Sequence, residues 1–404
     1  MKLVKSMILK FVNKPEDNIL SSQTLYECLF ALINLYRIEK TEEHLHSARD
    51  VAYKICDTQL IDGGFDLGYD FIFGKALSKA NKKEGTSPEL LSITALSIYY
   101  QEIDKDIKVY DSIIKGLNWV KKRLIKIDDD GFTYAIPYAP DSYEKVHIIN
   151  ATSFALSSIA SSIPVINDET EIAFFKSVLD GMYEFMFQQL EFNRDGEGFW
   201  PYFYNKGSSE ELALINDKVD NYHMAQQLYH HIIADKYYPS EVNNKSIECI
   251  YKYLASLVDE EGFVPYTFAM GKSSDKVDVW GYASILGALA IYGHNYHSAA
   301  AINLAKKVSG YLIKNTWQGE YFYPIVLNSN KKAFDSHFYP RSDAWVVHSL
   351  TDYLLYIDRN EDINNIVIRI LEKIKECDYK GLENHTITYR KKAFAFIVNL
   401  LRGK

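Results

Sequence analysis

Imidazole, carboxylate, amide and guanidinium side chains stand at the starts of four apolar segments that we predict to be helices. His147 and Asn150 are three residues apart, and Asp220 and His223 repeat this spacing in the next such segment. Residues three or four apart share one helix face, so each set is expected to point in one direction. The later two sets contain Asp278, Trp280, Arg341, Asp343 and Trp345. We expect all four sets to line one cleft, with Trp200, Trp280 and Trp345 on its wall.

These sets contain the groups that a lyase or an epimerase acting on an acidic sugar requires. His147 or His223 can serve as base or acid, and Arg341 can neutralise a substrate carboxylate. Asp220, Asp278 and Asp343 complete the predicted catalytic residues. The predicted substrate-binding residues are Asn150, Asn221, Arg341, Trp200, Trp280, Trp345, Tyr134 and Tyr266.

Two other interpretations of the same carboxylates stay open. Glycoside hydrolysis needs two carboxylates across the scissile bond, and the sequence does not give their separations. An aspartate at a helix start can also be an N-cap that accepts from free backbone N–H groups. The further carboxylates in predicted loops are Asp62, Asp66, Asp130 and Glu197.

A short Gly-aromatic signature recurs along the chain and indicates a repeat architecture. Its copies stand about 57 to 67 residues apart, and a weaker sixth copy begins at Gly381; the five clear copies contain Gly64, Gly131, Gly198, Gly262 and Gly319. A constant period of this size is typical of stacked units that bury their apolar faces against each other. We also expect a positive φ at Gly64, Gly131, Gly198 and Gly262, where each glycine precedes an aromatic residue.

Between the signatures, apolar residues recur at three- and four-residue steps, which predicts two helices per unit. The first helices are predicted at 21–38, 88–101, 147–162, 220–235, 277–292 and 341–356. The second are predicted at 44–58, 107–126, 169–191, 241–257, 297–316 and 361–376, with a last helix at 388–401. The sequence thus predicts an all-α protein, an (α/α)6 toroid of six helical hairpins with short β-hairpins in the loops, as a single domain over residues 1–404. The inner-helix N-termini and the long loops would gather at one end, where free N–H groups favour anions.

Composition excludes several function classes. The formal net charge is −8, and no arginine-rich stripe indicates nucleic-acid binding. No apolar run is long enough to span a membrane. The four cysteines lack the spacing of metal ligands, so we expect buried thiols in a protein of the cytoplasm. We also expect no cofactor.

His230 and His231 are adjacent and face different directions on a helix, so no metal site is predicted. The oligomeric state is not specified by the sequence.

The segment from Val219 to Met224 resembles the "(I/V)DN(F/Y)H" element of six-hairpin toroid proteins linked to bacterial capsule, exopolysaccharide and O-antigen synthesis. Ile149-Asn150-Ala151 and Val277-Asp278-Val279 match two further elements of that family. Arg341-Ser342-Asp343-Ala344-Trp345 keeps the arginine and the Ala-Trp of a late element but lacks its first tryptophan. The resemblance implies a toroid, more distantly similar to glucuronyl epimerases, uronyl hydrolases, polysaccharide lyases and class II terpene cyclases.

The sequence and the resemblance together predict a protein of polysaccharide or glycoconjugate metabolism with a saccharide ligand. Hydrolase, lyase or epimerase chemistry on an acidic glycan is the first expectation. A non-enzymatic glycan-binding or scaffold protein of a capsule assembly system is the alternative. A terpene cyclase is a second alternative, although Asp128-Asp129-Asp130 lacks the spacing of the cyclase acid motif.

Overall fold

The structure is a computed structural model that describes residues 21–66, 71–73, 78–80, 84–127, 132–142, 148–202, 218–265, 267–269, 272–273, 275–336 and 338–379. Twelve α-helices in these residues alternate between an inner and an outer layer. The inner helices are α1 (Ser22–Glu39), α3 (Leu91–Glu102), α5 (Asn150–Ser162), α7 (Asn221–Tyr237), α9 (Val279–Asn295) and α11 (Pro340–Tyr356). The outer helices are α2 (Glu42–Thr58), α4 (Ile107–Arg123), α6 (Glu169–Gln188), α8 (Glu241–Ser256), α10 (Ala299–Thr316) and α12 (Glu361–Glu376).

The inner helices form a closed ring. Each packs against the next along the chain, and α11 returns to pack against α1. This confirms the predicted toroid. The single domain over 1–404, the last helix at 388–401 and the signature at Gly381 stay predictions, because residues 1–20 and 380–404 lie outside the described residues. No helix in the described part of the chain combines the length and apolar character that a membrane span requires.

The two layers differ in how their helices begin. Each outer helix starts at a Ser, Thr, Asp or Asn whose side chain accepts from a backbone N–H in the first turn, as N-capping requires. These caps are Thr41, Asp106, Asp168, Ser240, Ser298 and Asn360. Among the inner helices only α7 has a side-chain cap of this kind, from Asp220. At the end of the ring that the loops cover, the first backbone N–H groups of the other inner helices therefore lack a side-chain cap.

The inner helices are buried on all sides and still carry many hydroxyl groups. Every residue of α5 is buried, including four serines in its second half. Their hydroxyls bond to the neighbouring inner helix α3: Thr94 Oγ1 lies 3.1 Å from Ser157 Oγ, and Ser97 Oγ lies 2.8 Å from Ser162 Oγ. A buried hydroxyl without a hydrogen-bond partner is costly, and these bonds supply the partners. Small polar residues can therefore pack closely in the core.

Short antiparallel strands lie in the loops, as predicted. They are β1 (Phe71–Phe73), β2 (Ser78–Ala80), β3 (Ile125–Lys126), β4 (Tyr134–Ala135), β5 (Asp141–Ser142), β6 (Glu191–Phe192), β7 (Gly198–Phe199), β8 (Lys218–Asp220), β9 (Thr267–Ala269), β10 (Lys272–Ser273), β11 (Lys276–Asp278), β12 (Ile325–Leu327) and β13 (Ala333–Asp335). The strand β8 runs directly into α7, and β11 runs directly into α9. The strands thus fix where these two inner helices start.

The glycine prediction is partly wrong. Gly262 has φ +89°, but Gly64 and Gly198 do not have a positive φ, and Gly131 lies outside the described residues. In three of the signature turns the N–H of the left-handed glycine donates to the carbonyl oxygen three residues earlier, as Gly196 N does to Asn193 O. This hydrogen bond determines which glycine is left-handed, and the number of residues to the aromatic side chain does not. Gly64 is required for packing instead, since a Cβ there would lie 2.6 Å from Trp119 Nε1. The left-handed glycines of the described residues are Gly63, Gly196, Gly262 and Gly319.

Candidate functional site

A narrow polar cavity lies inside the ring, between α1, α7, α9 and α11. Its walls include Glu27, Tyr229, His230, His348 and Asp352, and Trp345 lies beside them. The cavity measures about 30 Å³, which is space for about two water-sized groups. All of these titratable side chains are less than 9% exposed, so their charges interact through a medium that screens them poorly. We call this space the central cavity.

His348 lies between two carboxyl groups. Its Nδ1 is 2.5 Å from Glu27 Oε2, and its Nε2 is 3.5 Å from Asp352 Oδ2 and 2.9 Å from the Tyr229 hydroxyl. The Tyr229 hydroxyl donates to Asp352 Oδ1 at 3.3 Å. Burial alone would lower the pKa of His348, but Asp352 and Glu27 outweigh it and raise the pKa above its ordinary value. The two carboxyl groups therefore favour the protonated form of His348, while burial raises the pKa of Glu27 and of Asp352 as well.

His230 is perturbed in the opposite direction. Its Nδ1 lies 3.3 Å from Ser157 Oγ, and its ring contacts the rings of Phe30, Phe154 and Tyr229. Burial, and then the positive charge of His348, lower the pKa of His230 well below its usual value. His230 is thus a neutral imidazole on the wall that His348 also lines. A neutral and a protonated imidazole on one cavity are a base and an acid.

A chain of polar contacts connects Asp352 to the opposite end of the ring. Asn34 Nδ2 donates to Asp352 Oδ1 at 2.8 Å, and Asn34 Oδ1 accepts from Arg37 at 2.8 Å. Arg37 also donates two bonds to Glu102, of 2.7 and 2.8 Å. A larger cavity of about 370 Å³ lies here, at the C-terminal ends of the inner helices. Its walls combine aliphatic, aromatic and polar side chains, and Arg37 and Lys236 both pair with Glu102 there. The buried His348 between two carboxyl groups distinguishes the smaller central cavity.

A third buried carboxyl, Glu89, lies nearer the N-terminal ends of the inner helices. Gln23 Nε2 donates to Glu89 Oε1 at 2.9 Å, and Thr86 donates to the other oxygen. Burial raises the pKa of Glu89 to about 8, and the charge of Arg341 opposes this shift. Arg341 also acts on Glu27, and its guanidinium lies 5.7 Å from the centre of the Trp345 ring. Arg341 therefore lies beside Trp345, about one helical turn nearer the N-terminus of α11 than this wall residue of the central cavity.

The structure does not bring all predicted site residues into one cleft. Asn150, Trp200, Asp220 and His223 line a separate space of about 10 Å³ beside the central cavity. His223 Nδ1 is 2.9 Å from Asp220 Oδ2, and neither polar atom of the buried Asn150 amide has a hydrogen-bond partner among the described residues. The Trp200 indole donates to Met186 O at 2.9 Å, so this edge of its ring faces the outer helix α6. Of the predicted site residues, four therefore line this small space and Trp345 lines the central cavity.

Other predicted site residues have structural partners. Asn221 donates to Pro265 O at 2.9 Å, and Asp343 accepts from Phe322 N at 3.0 Å. Both side chains hold loops against the inner ring and line neither cavity. Asp278 ends β11 and is 9% exposed, and it makes no side-chain cap bond to α9. Trp280 packs half-buried against the core, and Tyr134 packs near the outer helix α6. His147 and Tyr266 lie outside the described residues.

The sequence analysis missed Glu27, Tyr229, His348 and Asp352, and it considered His230 only as a metal ligand. The available signal was a charged residue inside an otherwise apolar helix. Glu27 stands between Tyr26 and Cys28, in a helix whose residues 22–35 are all buried. An unpaired buried charge is costly, so such a residue indicates a partner elsewhere in the chain.

Comparison with solved structures shows which known proteins share this fold. The cellobiose 2-epimerase from Bacillus thermoamylovorans B4167 is 14% identical, with a TM-score of 0.59 over 82% of this chain and 87% of its own. A D-mannose isomerase is 12% identical, with a TM-score of 0.61 over 83% and 88%. A family 105 glycoside hydrolase from C. acetobutylicum ATCC 824 is 13% identical, with a TM-score of 0.58 over 87% and 98%. Neither the protein-family models nor the curated proteins compared with this sequence match it. At these identities the likeness establishes the shared toroid fold.

Proposed function

We propose that this protein is a sugar-processing enzyme that moves a proton at a carbon next to a carbonyl group, as an epimerase or an aldose–ketose isomerase does. One observation carries the proposal: His230 and His348 line the same cavity, and their pKa values are shifted in opposite directions. Proton abstraction next to a carbonyl needs a base that is neutral and an acid that keeps its proton at the same pH.

In this mechanism the roles of the two imidazoles follow from their contacts. His230 bonds to Ser157 through Nδ1, so its Nε2 is the atom that takes the proton from the sugar carbon. His348 keeps its proton because Glu27 contacts its Nδ1. Its Nε2 contacts the Tyr229 hydroxyl, and both side chains line the cavity. When the sugar binds, its carbonyl oxygen takes the place of the Tyr229 hydroxyl as the acceptor from His348 Nε2–H, which stabilises the negative charge that develops there. A proton is then returned to the same carbon in an epimerisation, or to the adjacent carbon in an isomerisation.

The charges of the central cavity bear on the substrate class. Glu27 and Asp352 both line the cavity, and His348 lies between them. Two carboxyl groups beside one imidazole would repel a substrate carboxylate, so the central cavity favours a neutral part of a sugar. Arg341, beside Trp345, is the residue that would contact an acid group elsewhere on a larger glycan. The acidic glycan, the link to capsule or exopolysaccharide synthesis and the cytoplasmic location stay predictions.

Glycoside hydrolysis is the second candidate, because Glu27 and Asp352 are two carboxyls on one cavity. His348 is within 3.5 Å of both, so its ring occupies the space between them, where hydrolysis would place the scissile bond. A non-enzymatic glycan binder would present a shallow aromatic shelf. The convergence of His230, His348, Glu27 and Asp352 instead supports an enzyme.

The test is incubation with a panel of reducing sugars in D2O, followed by NMR. The panel contains aldohexoses, ketohexoses, a β-1,4-linked disaccharide and a uronic acid. Proton abstraction is expected to replace the hydrogen next to the carbonyl with deuterium and to yield an epimer or an isomer. Hydrolysis of the disaccharide with no deuterium on carbon would contradict the proposal and favour the second candidate. Binding without any product would favour the glycan binder.

A further inference from the structure

One carboxylate oxygen of the central cavity has no hydrogen-bond partner among the described residues. This atom is Asp352 Oδ2, and it is fully buried. The other oxygen, Oδ1, accepts from Asn34 at 2.8 Å and from Tyr229 at 3.3 Å. His348 Nε2 is 3.5 Å from Oδ2, but it lies closer, 2.9 Å, to the Tyr229 hydroxyl. A buried carboxylate oxygen without a donor is costly, so Oδ2 is suited to accept from a molecule that enters the cavity.

The wall opposite Asp352 Oδ2 is a glycine in the interior of a helix. Gly287 lies in α9 and lines the cavity. A Cβ at Gly287 would lie 3.1 Å from Ser349 Oγ and 3.3 Å from Asp352 Oδ2. Any other residue at this position would therefore fill the space in front of the carboxylate. Glycine is unfavourable inside a helix relative to alanine, and the absence of a side chain at Gly287 leaves the cavity beside Asp352 Oδ2 unfilled.

We propose that Gly287, Ser349 and Asp352 form a subsite that binds one hydroxyl group of a sugar substrate. The hydroxyl donates to Asp352 Oδ2, and Ser349 Oγ provides a second hydrogen-bonding group beside it. The small volume of the cavity suits one or two such groups, so the subsite selects a hydroxyl position and does not enclose the whole ring. That the ligand is a sugar rests on the proposed function. The observation that Asp352 Oδ2 has no hydrogen-bond partner among the described residues is independent of it.

The test compares Gly287→Ala with the unchanged protein on a set of deoxy sugars that each lack one hydroxyl. Sugar affinity is measured by calorimetry, and kcat/KM is measured where turnover occurs. Gly287→Ala should weaken binding of the complete sugar by about 10- to 100-fold, because a hydrogen bond to the buried Asp352 carboxyl is lost. One deoxy sugar should bind equally well to both proteins, because it lacks the hydroxyl that the subsite recognises. An equal loss for every sugar, or no loss for any, would overturn the proposal.

Two further variants keep the result interpretable. Gly310→Ala is the matched control, since Gly310 lies in the outer helix α10 and a Cβ there meets nothing within 4 Å. Ser349→Val fills the same space from α11 and should cause the same selective loss of affinity. It replaces Gly287→Ala as the test if that variant does not fold. Gly310→Ala should bind every sugar as the unchanged protein does.

The outcomes separate the subsite from the proposed function. Selective loss in binding without any turnover would support the subsite and refute the proton-transfer reaction. Turnover with equal loss across the deoxy sugars would support the reaction and refute the subsite. Unchanged affinity for every sugar in Gly287→Ala would mean that the space holds only a buried water, which also refutes the subsite.

Discussion

Glu27 and His348 lie 2.5 Å apart, although 321 positions separate them in the chain. Glu27 belongs to the first inner helix and His348 to the last, so the pair exists only because α11 packs against α1. Closure of the ring therefore assembles the acid of the proposed reaction. This relationship connects the fold to the chemistry more directly than any feature of the loops.

The first prediction concerns the pH dependence of turnover. Activity should fall at low pH as His230 gains a proton and at high pH as His348 loses one, because the pKa of His230 is lowered and that of His348 is raised. Glu27→Gln removes a negative charge beside His348, so the high-pH limb should move to lower pH by about one unit or more. The measurement is kcat/KM from pH 5 to pH 10, where both proteins remain folded.

The control for this change is Glu171→Gln, which removes a carboxylate that pairs with Lys121 at the surface. Its pH profile should match that of the unchanged protein, since exposed pairs contribute little. A Glu27→Gln profile with the high-pH limb in its original place would contradict the role assigned to Glu27.

The second prediction concerns the buried carboxyl of Asp343. Burial raises its pKa to about 8, and Phe322 N donates to Oδ1 at 3.0 Å. An unfolded aspartate ionises at about pH 4, so between these values the folded state holds one more proton than the unfolded state. This contribution to stability is complete below about pH 4 and is lost as the pH rises through about 8.

Asp343→Asn keeps an oxygen for Phe322 N and removes the titration. As the pH rises from 5 to 8, the free energy of unfolding should then fall less steeply for Asp343→Asn than for the unchanged protein. The two slopes should differ by up to about 1 kcal/mol per pH unit. Denaturant unfolding at several pH values measures this slope. Identical slopes for both proteins would show that Asp343 does not hold a proton in the folded state.

The third prediction compares two glycines. Gly262 has φ +89°, and a Cβ there would lie 2.4 Å from Lys307 O, so Gly262→Ala should destabilise the protein by more than about 1 kcal/mol. Gly310→Ala should be neutral or stabilise by up to about 1 kcal/mol, because it improves helix propensity in open space. Thermal unfolding of both variants checks the difference. Equal melting temperatures would contradict the backbone requirement at Gly262.

The fold could be predicted because its signals are local. Apolar residues at three- and four-residue steps give each helix its buried face, and the repeated Gly-aromatic signature marks the loops between the helical hairpins. The contact between Glu27 and the proposed acid His348 could not be predicted from such signals. Glu27 and His348 meet only after ring closure, and sequence spacing carries no information about a contact between the first and last inner helices.

The predicted cleft illustrates the same limit. His223 and Asp220 do lie together, since three residues on a helix determine their separation. Asp343 starts its helix in a similar register, yet its carboxyl binds a loop N–H and is absent from both cavities. The rotation of each helix about its own axis decides which residues reach the centre. That rotation depends on packing against both neighbours and the outer layer.

The most direct test of the account is the turnover of four histidine-to-glutamine variants on the sugar that the panel identifies. His230→Gln and His348→Gln should each lower kcat by about 10²- to 10⁴-fold, the usual loss when a general acid or base is removed. His223→Gln, in the neighbouring cavity, and His294→Gln, at the opposite end of the ring, should stay within a few-fold of the unchanged protein. A large loss in His223→Gln with His348→Gln fully active would contradict the central claim and move the reaction to the neighbouring cavity.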